Sequence, residues 1–175
     1  MKQHLTRSLF GSLLALSLLA GSATANAAGR MIRLPIEDAL AWDSIGEKLE
    51  DKGIKIYWSD QAIPGQITED IEKDTYSRGV NAFLKSERRA CMNAFSMTFD
   101  ALIRNAVASG ANAIIGITSY HDDYKDFAST REFRCDVGSF RAGVGFRVQF
   151  VKLSAETSPA SSASGMTTTT PPAPR

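Results

Sequence analysis

His121 is the residue with the most chemical potential in this sequence, because the chain contains two histidines and the other, His4, lies near the N-terminus. Asp122 and Asp123 follow His121 directly, and Asp126 comes shortly after them. Imidazole nitrogens and carboxylate oxygens are common ligands of divalent metal ions. One hypothesis is therefore a metal site formed by His121, Asp122 and Asp123, and the alternative is a polar, solvated loop.

Catalytic groups are otherwise hard to find. A Ser-His-Asp triad would have to use His121, and the chain lacks the Gly-x-Ser-x-Gly sequence that marks many such nucleophiles. The carboxylate pairs Glu37-Asp38 and Glu69-Asp70 lie beside a predicted helix start and a polar turn, where charged surface is the simpler interpretation. We therefore predict no catalytic residue and no cofactor-binding residue, and we expect a non-enzymatic protein.

The two cysteines, Cys91 and Cys135, are predicted to form a disulfide bond. A redox or metal-binding pair is the alternative, but the chain has no Cys-x-x-Cys spacing to favour thiol exchange or a zinc knuckle. Closing the 45-residue loop from Cys91 to Cys135 would contribute about 4 kcal/mol in the chain-entropy model. The bridge would join a helix to the sheet.

The N-terminal segment has the pattern of a secretory signal peptide. Lys2 and Arg7 precede the apolar run 9–20, and two Ala-x-Ala patterns follow it. The run is too short for a membrane span, which takes about 20 residues. We expect cleavage near Ala27 or Ala28, so that residues 1–28 are removed, no membrane span remains, and the product is periplasmic or secreted.

The charge balance and the composition of the C-terminal segment indicate what kind of protein remains after cleavage. Removing Lys2 and Arg7 lowers the basic residues from 20 to 18, against 19 acidic residues, so the sequence gives no electrostatic case for nucleic acid. Residues 154–175 are mainly Ser, Thr, Ala and Pro and are predicted to be disordered. Residues 30–153 remain, a length typical of one domain.

Hydrophobic periodicity predicts an α+β domain with a mixed or antiparallel sheet, packed by one long helix and one short helix. The long helix runs from Ser86 to Ser109, with Gly110 as its left-handed C-cap. The short helix covers Asp43 to Asp51, with Asp43 or Ser44 as its cap. Strands are predicted at 31–36, 54–58, 113–120, 130–137 and 141–152, with a weaker strand or hairpin at 66–78.

Most of the aromatic residues fall where the helix and the strands should bury them. We predict a core that contains Phe83, Phe95, Phe99, Phe146 and Phe150. A second set can instead line a surface groove that contacts a partner, as exposed aromatic patches often do. This second set consists of Trp42, Tyr57 and Trp58.

The segment from Ser109 to Ile117 (SGANAIIGI) resembles the signature of the YbjQ-like family. The whole core is similar to an exported proteobacterial group that is often labelled as an excinuclease ATPase subunit. The residues that carry this second resemblance are 34–40 (LPIEDAL), Cys91, Ser119-Tyr120, Cys135 and Ala142-Gly143-Val144. The resemblance covers residues 30–153.

This resemblance implies a fold more than an activity. It implies a YbjQ-like α+β unit, which also resembles the sensor domain of the Rcs envelope-stress lipoprotein. YbjQ-like proteins can form rings and sometimes carry a heavy-metal-binding label, which makes a homo-oligomer plausible and slightly favours the metal hypothesis. ATP hydrolysis by an excinuclease subunit requires a phosphate-binding loop that ends in Gly-Lys-Ser or Gly-Lys-Thr. The chain has no Gly-Lys pair, so we reject excinuclease or ATPase activity.

The functional expectation that follows is a periplasmic interaction domain, acting in self-assembly or with an envelope protein partner in homeostasis and stress sensing. The alternative is binding of a divalent metal ion through His121, Asp122 and Asp123.

Overall fold

The computed structural model describes residues 29–154, and the predicted signal peptide and all of the predicted tail except Ser154 lie outside this range. The described chain is an α+β fold, as predicted, with seven strands in one sheet. The elements in chain order are β1 (Arg30–Pro35), α1 (Ile36–Ala41), a 3-10 turn (Trp42–Ser44), α2 (Ile45–Asp51), β2 (Lys55–Trp58), β3 (Ile67–Asn81), α3 (Glu87–Ser109), β4 (Ala113–His121), β5 (Tyr124–Phe127), β6 (Glu132–Val137) and β7 (Arg141–Leu153).

The long helix α3 confirms the prediction at both ends. Ser86 is its N-cap, where the hydroxyl accepts a hydrogen bond from the backbone N–H of Arg89 at 3.3 Å. Gly110 ends the helix with φ of 73°, a left-handed conformation that costs glycine little because it has no Cβ. The inner face of α3 is fully buried; its members are Cys91, Phe95, Thr98, Phe99, Leu102 and Ala106.

Strand β7 organises the sheet. It pairs with β3 along its whole length, so β6 and β4 share its other edge, with β6 at the start of the strand and β4 towards its end. These pairs are antiparallel, and β2 joins β4 in parallel, which gives the strand order β1-β6-β7-β4-β2 with β3 and β5 added beside it. Within the described residues β3 pairs only with β7, so β3 has one edge without a strand neighbour.

The core is an aromatic cluster between α3 and the sheet. Phe95 and Phe99 stack with ring centroids 4.4 Å apart, and Trp58 meets Phe146 edge to face at 5.5 Å. The disulfide between Cys91 and Cys135 ties α3 to β6 at the side of this cluster. Helix and sheet are therefore joined covalently as well as by packing.

Asn112 connects α3 to the sheet at the opposite end. Its side-chain amide donates to the carbonyl of Leu153 at 3.0 Å, and its Oδ1 accepts from the N–H of the same residue at 2.7 Å. The side chain thus occupies a position in the hydrogen-bond ladder of β7. These bonds reach a strand that is distant in the sequence.

Two local predictions need correction. The predicted short helix begins at Ile45 and not at Asp43, with Ser44, one of the two predicted caps, at its N-cap position, and it is the second half of a kinked helical segment that starts with α1. Strand β5 was not predicted. Of the two alternatives for residues 66–78, the strand is confirmed, because all but the first of these residues belong to the single 15-residue strand β3. Tyr57 is buried against a second apolar cluster. Among the described residues, no helix is long and apolar enough to cross a membrane.

Candidate functional site

The kink between α1 and α2 has an unusual backbone. Asp43 and Ser44 both have positive φ, at 54° and 53°, in the left-handed region that side-chain-bearing residues rarely adopt. Such conformations cost about 1–3 kcal/mol each and persist only where the surrounding structure enforces them. The side chain of Ser44 makes no capping hydrogen bond to α2. The kink is therefore held by other contacts.

The Asp43 carboxylate provides those contacts. It accepts a hydrogen bond from the Ser96 hydroxyl at 2.7 Å and another from the Lys48 ammonium at 3.3 Å. Lys48 also donates to Asp100 at 3.1 Å, so α2 and α3 are joined through the same ammonium. The Ser96 hydrogen bond, followed by the hydrogen bond and charge of Lys48, lowers the pKa of Asp43 below its ordinary value. Asp43 is thus fixed as an anion.

A groove of about 850 Å³ opens beside the kink. Trp42 stands at one wall, where its indole N–H donates to the side-chain oxygen of Asn93 at 3.2 Å. The exposed side chain of Met97 belongs to the same groove. The lining residues are Trp42, Asp43, Asn93, Ser96 and Met97 from the helical side, with Gly79, Val80, Asn81 and Lys85 from β3 and the turn after it. We call this the Trp42 groove.

The Trp42 groove combines apolar surface with a free strand edge. Trp42 and Met97 supply exposed apolar area, and Asn81 and Asn93 supply amides that can both donate and accept. Residues 79–81 come from β3, whose outer edge has no strand neighbour in the described chain. An unpaired strand edge offers backbone N–H and C=O groups to an incoming chain. These groups suit the binding of an extended polypeptide.

The predicted metal ligands lie elsewhere: His121 and Asp122 line a polar cleft of about 450 Å³ beside β7, and Asp123 follows them outside its lining. His121 Nδ1 accepts a hydrogen bond from the backbone N–H of Asp123 at 3.2 Å and lies 4.0 Å from the Asp123 carboxylate. His121 Nε2 lies 3.8 Å from the carboxylate of Asp136. The two carboxylates therefore face different ring nitrogens, and one ion at one nitrogen would not reach both.

The other acidic residues of this loop have partners of their own. Asp122 accepts a hydrogen bond from the Tyr120 hydroxyl, and this bond raises the pKa of that tyrosine. Asp126 forms an ion pair with Arg147 at 2.5 Å. Within residues 29–154 there is no group of three or more His, Cys, Asp or Glu residues arranged to hold a metal ion. The metal site at His121 stays a prediction.

The predicted carboxylate pairs lie on the surface, as the simpler interpretation expected. Asp38 pairs with Arg88 at 2.9 Å, and Glu69 pairs with Lys152 at 2.7 Å. Both pairs join side chains that are far apart in sequence, so they help to hold neighbouring elements together. Exposed pairs of this kind contribute little stability, typically below about 1 kcal/mol.

The aromatic predictions divide into correct and wrong ones. Phe95, Phe99, Phe146 and Phe150 are buried as predicted, whereas Phe83 is exposed. Of the predicted groove residues, Trp42 is exposed, while Tyr57 and Trp58 belong to the core. Among the described residues, the Trp58 indole nitrogen is the one buried side-chain polar atom without a hydrogen-bond partner.

Sequence reasoning missed the partnership of Asp43 and Ser96. The two residues are 53 positions apart, and no local pattern links them. One weak signal was present, because Asp is among the residues that tolerate the left-handed conformation.

Compared with known proteins, the chain matches no protein-family model and no curated protein.

Proposed function

We propose that this protein is a periplasmic, non-enzymatic interaction domain that binds an extended segment of an envelope protein in the Trp42 groove. The observation that carries the proposal is the position of exposed Trp42 and Met97 beside residues 79–81 of the unpaired β3 edge. An incoming strand would pair its backbone with β3 and place one apolar side chain between Trp42 and Met97. This is the β-strand addition used by many peptide-binding domains.

The rigidity of the kink supports this role. Binding is tighter when the binding surface is already ordered, because less conformational entropy is lost on association. The Asp43 carboxylate, held by Ser96 and Lys48, fixes the backbone next to Trp42. Trp42 itself is oriented by its hydrogen bond to Asn93. The apolar wall of the groove is therefore positioned before any partner arrives.

The cellular location rests on two features. The N-terminal 28 residues have the pattern of a signal peptide. The disulfide between Cys91 and Cys135 is of the kind that persists in oxidising compartments and is rare in the cytosol. Both features favour export, and a role in envelope homeostasis or stress sensing agrees with the resemblance to the YbjQ-like and Rcs sensor domains.

Self-association is an alternative use of the same edge. A second copy could pair its own β3 with the first, which would give a homo-oligomer with two-fold symmetry. The side chains of β3 include Glu69, Asp70, Glu72, Lys73 and Asp74. Charged residues along an edge strand are a device that discourages pairing between copies. We therefore favour a strand from another protein over a second copy of this chain as the occupant of the Trp42 groove.

The test is a peptide selection with matched variants. Random peptides displayed on phage are selected against the protein as purified from the periplasm, and the affinities of enriched peptides are measured by calorimetry. We expect Trp42→Ala to weaken binding at least about tenfold, which corresponds to about 1.4 kcal/mol. The control is Val107→Ala, which shortens an exposed apolar side chain on the same helix as Met97 but outside the groove.

Hydrogen exchange then distinguishes strand addition from other binding. A bound peptide that pairs with β3 should slow amide exchange within residues 79–81, because formerly solvated N–H groups become hydrogen-bonded. Equal peptide affinity of the wild type and Trp42→Ala would contradict the proposal. A concentration-dependent dimer in sedimentation analysis would favour self-association instead, if it is lost in a β3 edge variant such as Gly79→Pro, which removes an N–H that points away from β7.

A divalent metal ion at His121 remains the second candidate function. The observation that favours it is the presence of two carboxylates, those of Asp123 and Asp136, within about 4 Å of the imidazole. A single ion could use one of these carboxylates and one ring nitrogen after a small movement of the loop, with water completing the coordination. Such a site would be weak, because two protein ligands are few.

A further inference from the structure

Three exposed apolar side chains form a projection at the end of the sheet next to the N-terminus of α3. Phe83 is 54% exposed, Leu84 is 90% exposed and Phe140 is 69% exposed. Phe83 and Leu84 belong to the turn between β3 and α3, and Phe140 belongs to the turn between β6 and β7. We call these three residues the apolar tip.

A backbone hydrogen bond joins the two turns, because the N–H of Ala82 donates to the carbonyl of Phe140 at 2.9 Å. The N–H of Lys85 donates to the carbonyl of Ala82 at 3.0 Å and closes the first turn itself. The rings of Phe83 and Phe140 stack with centroids 5.8 Å apart and an interplanar angle of 16°. The apolar tip is therefore an ordered feature built from two separate turns.

Leu84 is held in a conformation that a leucine avoids. Its φ is 58°, in the left-handed region where a Cβ clashes with the backbone. A glycine or asparagine would occupy this position with less strain. Because the Leu84 side chain is almost fully exposed, packing within the described chain does not explain the choice of residue. Strain combined with an exposed apolar side chain points to a role in contact with another surface.

Basic residues surround the apolar tip. The segments 29–30, 82–89 and 137–141 contain five basic residues and one acidic residue, Glu87. Arg30 pairs with Glu87 and Arg88 pairs with Asp38. The remaining three, Lys85, Arg89 and Arg141, have no acidic partner among the described residues. These three residues belong to the two turns that form the apolar tip or follow them directly, and they place positive charge beside it.

The chain that precedes the domain enters at this same end. Arg30 and Leu84 line one surface depression, so the first described residues lie beside the apolar tip.

We propose that the apolar tip docks on an anionic lipid bilayer, with Phe83, Leu84 and Phe140 entering the headgroup region and Lys85, Arg89 and Arg141 contacting lipid phosphates. Apolar side chains surrounded by Lys and Arg are the combination by which peripheral proteins bind anionic membranes. This proposal is independent of the Trp42 groove and goes beyond it. A domain docked in this way would present the groove close to the membrane surface, since Lys85 belongs to both features.

A second copy of the chain is a poorer occupant of the apolar tip. Two tips meeting face to face would bring the basic residues beside each tip together, and like charges across an interface are repulsive. An anionic bilayer supplies both an apolar phase for the three side chains and negative charge for the basic residues. Charge complementarity therefore favours an anionic membrane over a second copy of the chain as the binding partner of the apolar tip.

The experiment is vesicle binding by the protein as purified from the periplasm, with its processed N-terminus verified by intact mass. The probes are vesicles of phosphatidylglycerol with phosphatidylcholine, and vesicles of phosphatidylcholine alone. We expect binding to the anionic vesicles that is strongly reduced by salt and much weaker on the neutral ones. We expect Leu84→Gly to weaken the binding at least about tenfold, because the variant has no apolar side chain to bury among the headgroups.

Leu84→Gly also separates docking from stability. Glycine accepts the positive φ, so the variant should unfold at the same urea concentration as the wild type or higher. Arg89→Glu should abolish the preference for anionic vesicles, and Val107→Gly should bind like the wild type. Three results would each overturn the proposal: no binding to either vesicle, equal binding by Leu84→Gly, or a dimer in sedimentation that Leu84→Gly dissociates.

Discussion

The hydroxyl of Ser96 donates a hydrogen bond to the Asp43 carboxylate at 2.7 Å, which joins the middle of α3 to the kink between α1 and α2. This bond, with the one from Lys48, stabilises two consecutive left-handed residues beside the Trp42 groove. The shape of the groove therefore depends on a single ionised side chain and its partners.

Ser96→Ala should reduce stability at neutral pH but not at low pH. The folded pKa of Asp43 lies below its ordinary value of 3.8, so the stability that its ionised form contributes is present above pH 3.8. That contribution is lost as the pH falls through the folded pKa. Urea unfolding at a series of pH values should show wild type and Ser96→Ala converging in acid. A gap between them that is constant with pH would contradict this mechanism.

The matched control is Asp43→Asn, which keeps the size of the side chain and removes its titration. This variant should unfold with a weaker dependence on acidic pH than the wild type. It should also show lower peptide affinity in the selection experiment, because the backbone beside Trp42 is less firmly held.

Reduction of the disulfide should destabilise the fold by up to about 4 kcal/mol, because the released loop gains entropy in the unfolded state. The double variant Cys91→Ala/Cys135→Ala should have a lower urea midpoint than the oxidised wild type. Adding reductant should lower the wild-type midpoint and leave that of the double variant unchanged. An unchanged wild-type midpoint in reductant would mean that the bridge is not closed in solution.

Asn112→Ala should cost about 2 kcal/mol, because two hydrogen bonds to the backbone of Leu153 are lost at once. Asn112→Asp is the informative comparison. It keeps an acceptor for the Leu153 N–H and removes the donor to the Leu153 carbonyl, so it also places a negative charge near that oxygen. The urea midpoints of both variants should lie below that of the wild type. An unchanged midpoint for Asn112→Ala would show that the two hydrogen bonds to Leu153 contribute no stability.

Metal binding at His121 predicts one divalent ion per chain in native mass spectrometry after addition of Zn²⁺. His121→Ala should remove the ion and leave the circular dichroism spectrum unchanged. Asp122→Ala should have little effect, because the Asp122 carboxylate is engaged by the Tyr120 hydroxyl. A wild-type spectrum without an adduct would eliminate the metal hypothesis.

Periodicity and local signals determined the fold class, because both depend on short stretches of chain. The apolar face of α3, its Ser86 and Gly110 caps and the alternating strands β6 and β7 could all be predicted from neighbouring residues. The presence of two cysteines in a chain with the pattern of a secretory signal peptide was enough to predict their bridge. The polar residues next to Asp38 and Glu69 in the sequence also predicted that these two carboxylates lie on the surface.

Only the tertiary structure decided which surfaces are available for binding. The Trp42 groove arises because the Asp43 carboxylate meets Ser96, and the apolar tip arises because the turn after β3 meets the turn before β7. Phe83 was predicted to be buried because its neighbours have helical and strand patterns, yet it lies in the turn between them, where the chain has no face to cover. Contacts between residues distant in sequence leave no periodic signal, so the sequence alone could define the core but could not define the sites.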